Sequence, residues 1–217
     1  KNMKIDSNIN NTYQYLKDSY LKGNEVIIDT MTIKMLDSGM QYHSFLFISC
    51  GIFANLDIKS EWLRRFGSIR FTIGAIIELL QYLTIGNSFD AKLEFTDDLD
   101  RNLVIEGNFV FFMANNLSNT SAFSITSPHS TPDDGYIYLS YLLAPVSTIE
   151  LAQILLSLED GSYINRLNYL RTKKFKLTPK NNSNHLIGKN IYDFDGEEFP
   201  SEPIEVEINP KSLRVII

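Results

Sequence analysis

The sequence is short of the residues that several large classes of protein require. Cys50 is the single cysteine among 217 residues, which excludes an internal disulfide and any zinc or iron–sulfur site built from several cysteines. This cysteine usage is typical of a reducing compartment and favours the cytosolic side of the cell. No apolar run reaches the roughly 18 to 20 residues that span a bilayer, and the polar start, residues 1–6, is unlike a signal peptide. We therefore expect a soluble or peripheral protein.

Positive charge and phosphate-binding loops are also scarce. The 20 Lys and Arg face 26 Asp and Glu, for a formal net charge of -6, whereas a general nucleic-acid binder needs a basic face. The eleven glycines are scattered and form neither a Gly-x-Gly-x-x-Gly loop nor a Walker loop, so none of these loops can cradle a nucleotide phosphate chain by itself. His43, His129 and His185 lack metal-ligand spacing. A nucleic-acid partner, a metal site and a complete kinase are therefore not expected.

What is present is a globular composition with a strong β pattern. The chain is 44% hydrophobic with 14 Phe and 11 Tyr, which is enough apolar surface for a core. Short apolar runs, separated by Gly, Asn, Asp and Pro, predict a mainly β (α+β) protein, an antiparallel β-sandwich with a few helices. We divide it into a polar N-terminal segment, residues 1–24, and one sandwich domain, residues 25–217. The predicted strands are residues 25–35, 42–49, 91–95, 103–114, 122–126, 136–142, 175–178, 204–208 and 213–217.

Two segments have helical periodicity instead. Ser147 and Glu150 form a capping box ahead of an apolar stripe, which predicts a helix over residues 147–158. Residues 58–83 carry apolar side chains at three- and four-residue steps with two glycines inside, and they form one helix or a broken pair. The polar stretch 178–184 predicts a flexible loop.

The most informative stretch runs from an apolar strand through Gly51 into this second helical segment. Asp57 stands at the mouth of the predicted helix, and Arg64 and Arg70 follow. Taken alone, the arrangement is explained by Asp57 as a helix N-cap and by two solvated arginines. On an unbroken helix the arginines lie about 120° apart, so they reach one anion only if the chain bends near Gly67.

These residues resemble a known family. The stretch looks like the start of the C-terminal domain of sphingosine kinases, or long-chain base kinases, within the diacylglycerol kinase superfamily of lipid kinases. The matched positions, in order, are Gly51, Ala54, Asp57, Ser60, Glu61, Arg64, Phe66, Gly67, Arg70, Phe71 and Gly74. A second match, Asp195-Gly196-Glu197 with a following strand and a Pro-x-x-Leu strand, resembles the closing signature of the family. It also predicts an Asp-Gly hairpin turn.

The resemblance covers residues 25–217 and implies the lipid-binding half of a two-domain enzyme. In this family an N-terminal domain supplies the glycine-rich nucleotide loop and the catalytic Asp, so no catalytic residue is assigned to this chain. Asp57 would accept the cationic amine and the hydroxyl of a sphingoid base. A charge-assisted hydrogen bond of this kind contributes on the order of 1.5 to 3 kcal/mol, more than a neutral one.

The resemblance also implies where the nucleotide and the hydrocarbon chain lie. ATP, with Mg2+ in the full-length enzyme, would contact Arg64 and Arg70 on one side. It would meet Asp195, Gly196 and Glu197 on the other. The candidate walls of the lipid pocket are Phe53, Leu56, Phe71 and Ala75, for which simple core packing is an equal explanation. Two positions depart from the family pattern, Phe47 in place of a small hydroxyl residue and Asn55 in place of a frequent acid.

We therefore predict the substrate-binding domain of a kinase that phosphorylates the primary hydroxyl of a sphingoid base, inactive without its N-terminal domain. The expected localisation is cytoplasmic with transient membrane contact. The lysines of residues 173–176 would touch anionic lipid or form a solvated strand edge. A ceramide or diacylglycerol kinase is the alternative within the enzymes, and neutral head groups would make Asp57 dispensable. A lipid-binding module without catalysis is the alternative from another class.

Overall fold

The computed structural model describes residues 23, 25–60, 65, 69–86, 88–97, 99–121, 124–157, 162–180 and 190–216. The helices are α1 (Ile52–Ile58), α2 (Ile69–Ile85), α3 (Thr148–Leu156) and a 3-10 helix (Ser162–Arg166). The strands are β1 (Glu25–Met35), β2 (Gln41–Ser44), β3 (Phe47–Gly51), β4 (Phe89–Thr96), β5 (Asn102–Asn115), β6 (Asn119–Ser121), β7 (Ser124–Ile125), β8 (Ile137–Leu143), β9 (Asn168–Thr172), β10 (Lys174–Pro179), β11 (Ile191–Phe194), β12 (Glu197–Pro200) and β13 (Ile204–Ile216).

Eleven of the described strands form one antiparallel sheet that curls into a half-barrel. Its order is β12-β11-β3-β5-β4-β10-β13-β1-β2, and β8 and β9 continue from the other edge of β5. The strand β5 organises this arrangement, because its first half pairs with β4 and its second half lies between β3 and β8. The predicted fold class, mainly antiparallel β with a few helices, is confirmed.

The two faces of the sheet bury two different hydrophobic clusters. We call the cluster inside the curl the inner core; it includes Met31, Phe112 and Val206. We call the cluster between the opposite face and the helices the helical core; it includes Phe111 and Met113. Residues on β5 serve both clusters in alternation, so the second half of this strand is buried on both sides. The helices therefore cover only one face, and that face carries the candidate site.

Some predicted strands are confirmed and others change at points where tertiary contacts intervene. The prediction for residues 25–35 is confirmed in full, whereas residues 42–49 form two strands separated by a turn. The two predicted C-terminal strands are one strand, β13, which passes an irregularity opposite Asp29. The buried Asp29 carboxylate accepts backbone N–H bonds from Gly135 and Lys211, both at 2.6 Å, which holds the irregular turn of β13 in place. β6, β9, β11 and β12 were not predicted.

The helices correct the sequence analysis in one important respect. The predicted helix at 147–158 is confirmed as α3, with the Ser147 hydroxyl accepting the Glu150 N–H at 3.1 Å. The 58–83 segment is a broken pair, but α1 begins earlier than expected, directly after β3. Asp57 therefore lies in the last turn of α1, and the N-cap interpretation is wrong, since Gly51 occupies the N-cap. Most of the predicted loop 178–184 lies outside the described residues, as does the segment 1–24 except Gly23.

For the lysines of residues 173–176, one of the two predicted roles, a solvated strand edge, is wrong. Lys174 and Lys176 lie in β10, an internal strand between β4 and β13, and Lys173 directly precedes it, so these lysines do not form a strand edge. The Lys174 ammonium lies 3.1 Å from the Glu205 carboxylate on β13. The Lys173 ammonium lies over the Tyr136 ring, 5.6 Å from its centroid. Both lysines thus interact with neighbouring side chains.

Candidate functional site

The site is built on the sharp passage from β3 into α1 at Gly51. Its backbone has φ 78° and ψ -141°, and a Cβ at this position would lie 2.5 Å from the Val110 carbonyl oxygen. Only glycine combines this conformation with so close an approach to β5. The close approach places the first turn of α1 directly on the sheet, where Ile52 and Phe53 are buried in the helical core.

α1 presents an apolar side to the helical core and places Asp57 at its end. Phe53 packs edge-on against Phe111, with ring centroids 4.5 Å apart, and Leu56 is buried beside it. α2 closes over them at Gly74, where a Cβ would lie 3.1 Å from the Leu56 Cδ2 atom. Three of the four predicted pocket walls, Phe53, Leu56 and Ala75, therefore line one apolar region. The fourth, Phe71, lies in α2, but its side chain is outside the described part of the chain.

A buried polar contact ties α1 to α2. The Asn55 side-chain Nδ2 donates to the Glu78 Oε2 at 3.1 Å, and both residues are almost fully buried. Asn55 occupies a position that is often acidic in the family. The amide at this position can donate to the Glu78 carboxylate, which an ionised acid could not do. It fixes the relative placement of the two helices next to Asp57.

The predicted Asp-Gly hairpin is confirmed between β11 and β12. Asp195 and Gly196 form the two-residue loop between the paired residues Phe194 and Glu197. Their φ values of 53° and 91° are positive, as such hairpin turns require. The Asp195 carboxylate accepts the Ser44 hydroxyl and the backbone N–H groups of Phe45, Leu46 and Phe47, at 2.7 to 3.0 Å. These four bonds hold the turn between β2 and β3, which explains why the predicted strand 42–49 is interrupted there. Asp195 thereby positions the start of β3.

Asp193, which the sequence analysis missed, is a fully buried carboxylate at the same place. Its Oδ1 accepts the Gly196 N–H at 2.8 Å, and its Oδ2 lies 3.4 Å from the Ser49 hydroxyl. Burial, and next the nearby Asp57, raise the pKa of Asp193 to about 7. No lysine or arginine of the described residues forms an ion pair with it. The signal for Asp193 was the alternation of β11, in which Tyr192 and Phe194 face the inner core, but this strand was not predicted.

Asp57 and Asp193 meet at the hairpin turn. A Cβ on Gly196 would lie 4.0 Å from the Asp57 Oδ2 atom, so the end of α1 reaches the turn that also bonds Asp193. We call Asp57, Asp193 and the turn at Gly196 the acidic corner. It lies beside the apolar region under α1 and α2. The carboxylates of the acidic corner are therefore next to a hydrophobic surface. This combination suits a ligand with a cationic head and a hydrocarbon chain.

The other predicted residues are placed only in part. Arg64 lies outside the described residues, and Arg70 lies in the first turn of α2 with its side chain undescribed. Glu197 is exposed at the start of β12. Cys50 is buried in β3, and burial raises the pKa of its thiol, as expected for an inert side chain. The structure thus brings Asp57, its apolar neighbours and the hairpin together, while the roles of the arginines stay predictions.

Comparisons with known proteins agree with this architecture. The family model described as the YegS C-terminal NAD kinase beta sandwich-like domain matches residues 47–217, and the chain belongs to this family. A solved structure described as a putative diacylglycerol kinase from Bacillus anthracis str. Sterne covers 91% of the chain with a TM-score of 0.57, at 16% identity and over 58% of its own chain. This likeness shows the fold.

Curated relatives extend the comparison to sphingosine kinases. Sphingosine kinase 1 of Rattus norvegicus is 25% identical over 82% of this chain and 53% of its own length. Sphingosine kinase 1 of Homo sapiens is 26% identical over 80% of this chain and 52% of its own length. Sphingoid long chain base kinase 5 of Saccharomyces cerevisiae is 31% identical over 52% of this chain and 16% of its own length. The chain spans about half the length of the first two, and its resemblance to the C-terminal domain of sphingosine kinases is confirmed. In the described part of the chain, no helix has the length and hydropathy of a membrane span.

Proposed function

We propose that the chain is the lipid-binding half of a sphingoid-base kinase, which transfers a phosphoryl group from ATP to the primary hydroxyl of a long-chain base. The observation that carries this proposal is the acidic corner, where the buried Asp193 adjoins Asp57 beside an apolar region. The similarity to sphingosine kinases and long-chain base kinases supports the same substrate class.

The acidic corner favours a cationic head group for an electrostatic reason. A carboxylate removed from water is strongly disfavoured in its charged form unless an opposite charge or hydrogen bonds compensate it. At Asp193 the compensation consists of one backbone N–H and one long contact to a hydroxyl. An ammonium group bound beside Asp193 would supply a positive charge to this buried carboxylate. A neutral ceramide or diacylglycerol head group supplies none, so the geometry favours a sphingoid base over these alternatives.

The nucleotide side of the proposal rests on the resemblance. Arg64 and Arg70 would contact the phosphates of ATP, and Asp195, Gly196 and Glu197 would face the nucleotide from the opposite side; Mg2+ would neutralise phosphate charge in the full-length enzyme. Asp195 would do so mainly as a positioning residue, because its carboxylate already accepts four hydrogen bonds. A second domain would supply the base that takes the hydroxyl proton as ADP leaves. The chain by itself is therefore expected to be inactive.

We also infer that α2 contacts the membrane from which the lipid is taken. Among the side chains of this 17-residue helix that the structure describes, the exposed ones include large apolar residues and no charged one; the apolar residues are Ile76, Ile77, Leu80 and Leu83. The opposite side, with Ala75 and Leu79, packs on the helical core next to the acidic corner. A long-chain base is held in membranes, so an apolar helix face beside its binding site fits a lipid surface. This surface, rather than the lysines of residues 173–176, is the proposed contact.

Binding of a fluorescent sphingosine analogue to the purified chain tests the head-group assignment. We expect saturable binding that Asp57→Asn weakens about tenfold or more, since a charge-assisted hydrogen bond is lost. Ceramide and diacylglycerol should compete poorly. Glu198→Gln is the matched control, because it removes one negative charge from an exposed position on β12, opposite Asp193 in the register. Equal competition by the neutral lipids, with no effect of Asp57→Asn, would instead identify a ceramide or diacylglycerol binder.

A further inference from the structure

One row of side chains crosses the sheet from the acidic corner into the helical core. Register pairs connect Asp193 of β11 to Ser49, Ser49 to Met113, Met113 to Ser140, and Ser140 to Tyr169 of β9. Residues paired in this way share a face, here the face that the helices cover. Three strand spacings separate Asp193 from Ser140, or about 14 Å. A hydrocarbon chain that starts at the acidic corner and follows this row reaches Ser140.

The far end of the row holds buried polar atoms that have no hydrogen-bond partner. They are both side-chain atoms of Asn115, the hydroxyl of Ser140 and the hydroxyl of Tyr163, and no described residue bonds them. All three side chains have an exposed fraction of 0%. Asn115 lies two residues from Met113 on the same face of β5, and it is therefore the diagonal neighbour of Ser140. Tyr163 belongs to the 3-10 helix that packs on this face. We call Asn115, Ser140 and Tyr163 the polar floor.

The polar floor is unusual for its surroundings. Its neighbours in the helical core are apolar, among them Phe47, Met113 and Leu142. A buried polar group without a partner destabilises a protein by about 1 to 3 kcal/mol, so native proteins retain few of them. A bound molecule that completes their hydrogen bonds removes this cost, and the polar floor lies at the end of the row along which the proposed lipid chain would run.

We propose that the polar floor recognises a hydroxyl group far along the hydrocarbon chain, about 14 Å from the acidic corner, so that the substrate is a long-chain base hydroxylated at that depth rather than an unsubstituted one. This inference rests on the proposed function. A hydroxyl fits because it donates and accepts at once, as do the Asn115 amide and the Ser140 and Tyr163 hydroxyls. A charged group does not fit, because no opposite charge belongs to the polar floor. An unsubstituted chain would leave all of these polar atoms without partners.

The test compares pairs of probes that differ only in a chain hydroxyl. The first pair is sphinganine and a sphinganine that carries one further hydroxyl near the middle of its chain; the second is octadecanol and an octadecanediol with a mid-chain hydroxyl. We expect at least one hydroxylated probe to bind the full chain about three- to tenfold more tightly than its partner, the effect of a neutral hydrogen bond. Asn115→Leu and Ser140→Ala should each remove most of this preference without weakening the unsubstituted probes.

Thr178→Val is the matched control. Its Oγ1 atom is also buried without a partner, but it lies on β10, away from the helical core. This variant should leave the preference unchanged. Thermal unfolding of each variant verifies that it is folded, and Asn115→Leu is an apolar replacement of similar size in an apolar core.

The outcomes separate this inference from the proposed function. If the amine-bearing probes bind no better than the neutral pair but a hydroxyl preference is seen and Asn115→Leu removes it, the polar floor stands and the sphingoid-base assignment fails. If sphinganine binds through Asp57 but neither pair shows a preference for the hydroxylated probe, the polar floor does not recognise a hydroxyl on the chain. A preference that survives Asn115→Leu and Ser140→Ala overturns the inference as well, and so does the absence of any preference in the neutral pair when neither base binds.

Discussion

The inner core and the helical core have the same β5 strand between them but different chemistry. The inner core is formed by apolar and aromatic side chains, and the hydroxyl of its buried Tyr192 reaches the Glu202 carbonyl at 3.0 Å. The helical face instead buries Ser49, Asn115, Ser140 and Asp193 among its apolar residues, with several polar atoms lacking partners. One side of the sheet thus packs apolar side chains against one another, whereas the other buries polar groups whose hydrogen bonds the proposed ligand would complete.

The largest effect is expected from a cavity in the inner core. Phe112 is fully buried and lies 5.4 Å from Phe175, centroid to centroid. Phe112→Ala should lower the free energy of unfolding by about 3 to 5 kcal/mol, as aromatic truncations in cores do. Urea denaturation measures this change. Lipid binding to the fraction that stays folded should be unaffected; a specific loss of binding with a small loss of stability would contradict the division between the two cores.

The second prediction concerns the pH dependence of stability that Asp193 produces. Its pKa in the folded chain is about 7, above the value near 4 of an unfolded aspartate. The folded state therefore binds the proton more tightly, and the contribution to stability is fully present below about pH 4 and is lost as the pH rises to about 7. The free energy of unfolding should fall by at most about 1.4 kcal/mol per pH unit in this window.

Asp193→Asn should flatten this profile, because the amide cannot titrate, and should make the chain more stable than the native protein at pH values above about 7. The groups that face Asp193 are Asp57 on α1, Asp195 in the turn, the Ser49 hydroxyl on β3 and the exposed Glu198, its partner across the strand pair on β12. Glu198→Gln should leave the slope as it is. An unchanged slope in Asp193→Asn would show that another group produces the pH dependence.

The third prediction has the opposite sign to an ordinary core substitution. Asn115→Leu removes two buried polar atoms that lack partners and replaces them with apolar surface of similar volume. We expect the free energy of unfolding to rise by about 1 to 2 kcal/mol, measured by urea denaturation without lipid. A loss of stability would mean that the Asn115 amide is satisfied in the folded protein, and the contrast between the two cores would weaken.

The smallest effect is expected at the start of α3, away from both polar features of the helical face. Ser147→Ala removes the hydroxyl that accepts the Glu150 N–H and should lower the free energy of unfolding by about 1 kcal/mol. Ser147→Asp, which restores an acceptor at this position, should recover most of it. If lipid binding also fell, α3 would take part in closing the site.

Local patterns predicted those elements whose side chains carry their own signal. β1 matches its prediction from end to end, and α3 was found from its capping box and apolar stripe. β11 was missed because it is four residues long and contains an aspartate, which strands disfavour. The sequence pattern also misplaced the start of α1, since the passage at Gly51 is imposed by the contact with Val110 on β5. Long-range contacts of this kind leave no local periodicity.

By itself the sequence determined the class of fold, the family resemblance and the choice of Asp57, Phe53, Leu56 and Ala75, because alternation, caps and spaced motifs are local properties. The tertiary structure alone decided that Asp57 lies in the last turn of α1 rather than at the N-cap of a helix, that Asp195 holds the turn before β3, and that Asp193 adjoins Asp57. It also decided that Asn115 and Ser140 are buried without partners on one face. These features depend on pairing between strands distant in the chain, which sets the burial and hence the charge and hydrogen bonding of each group.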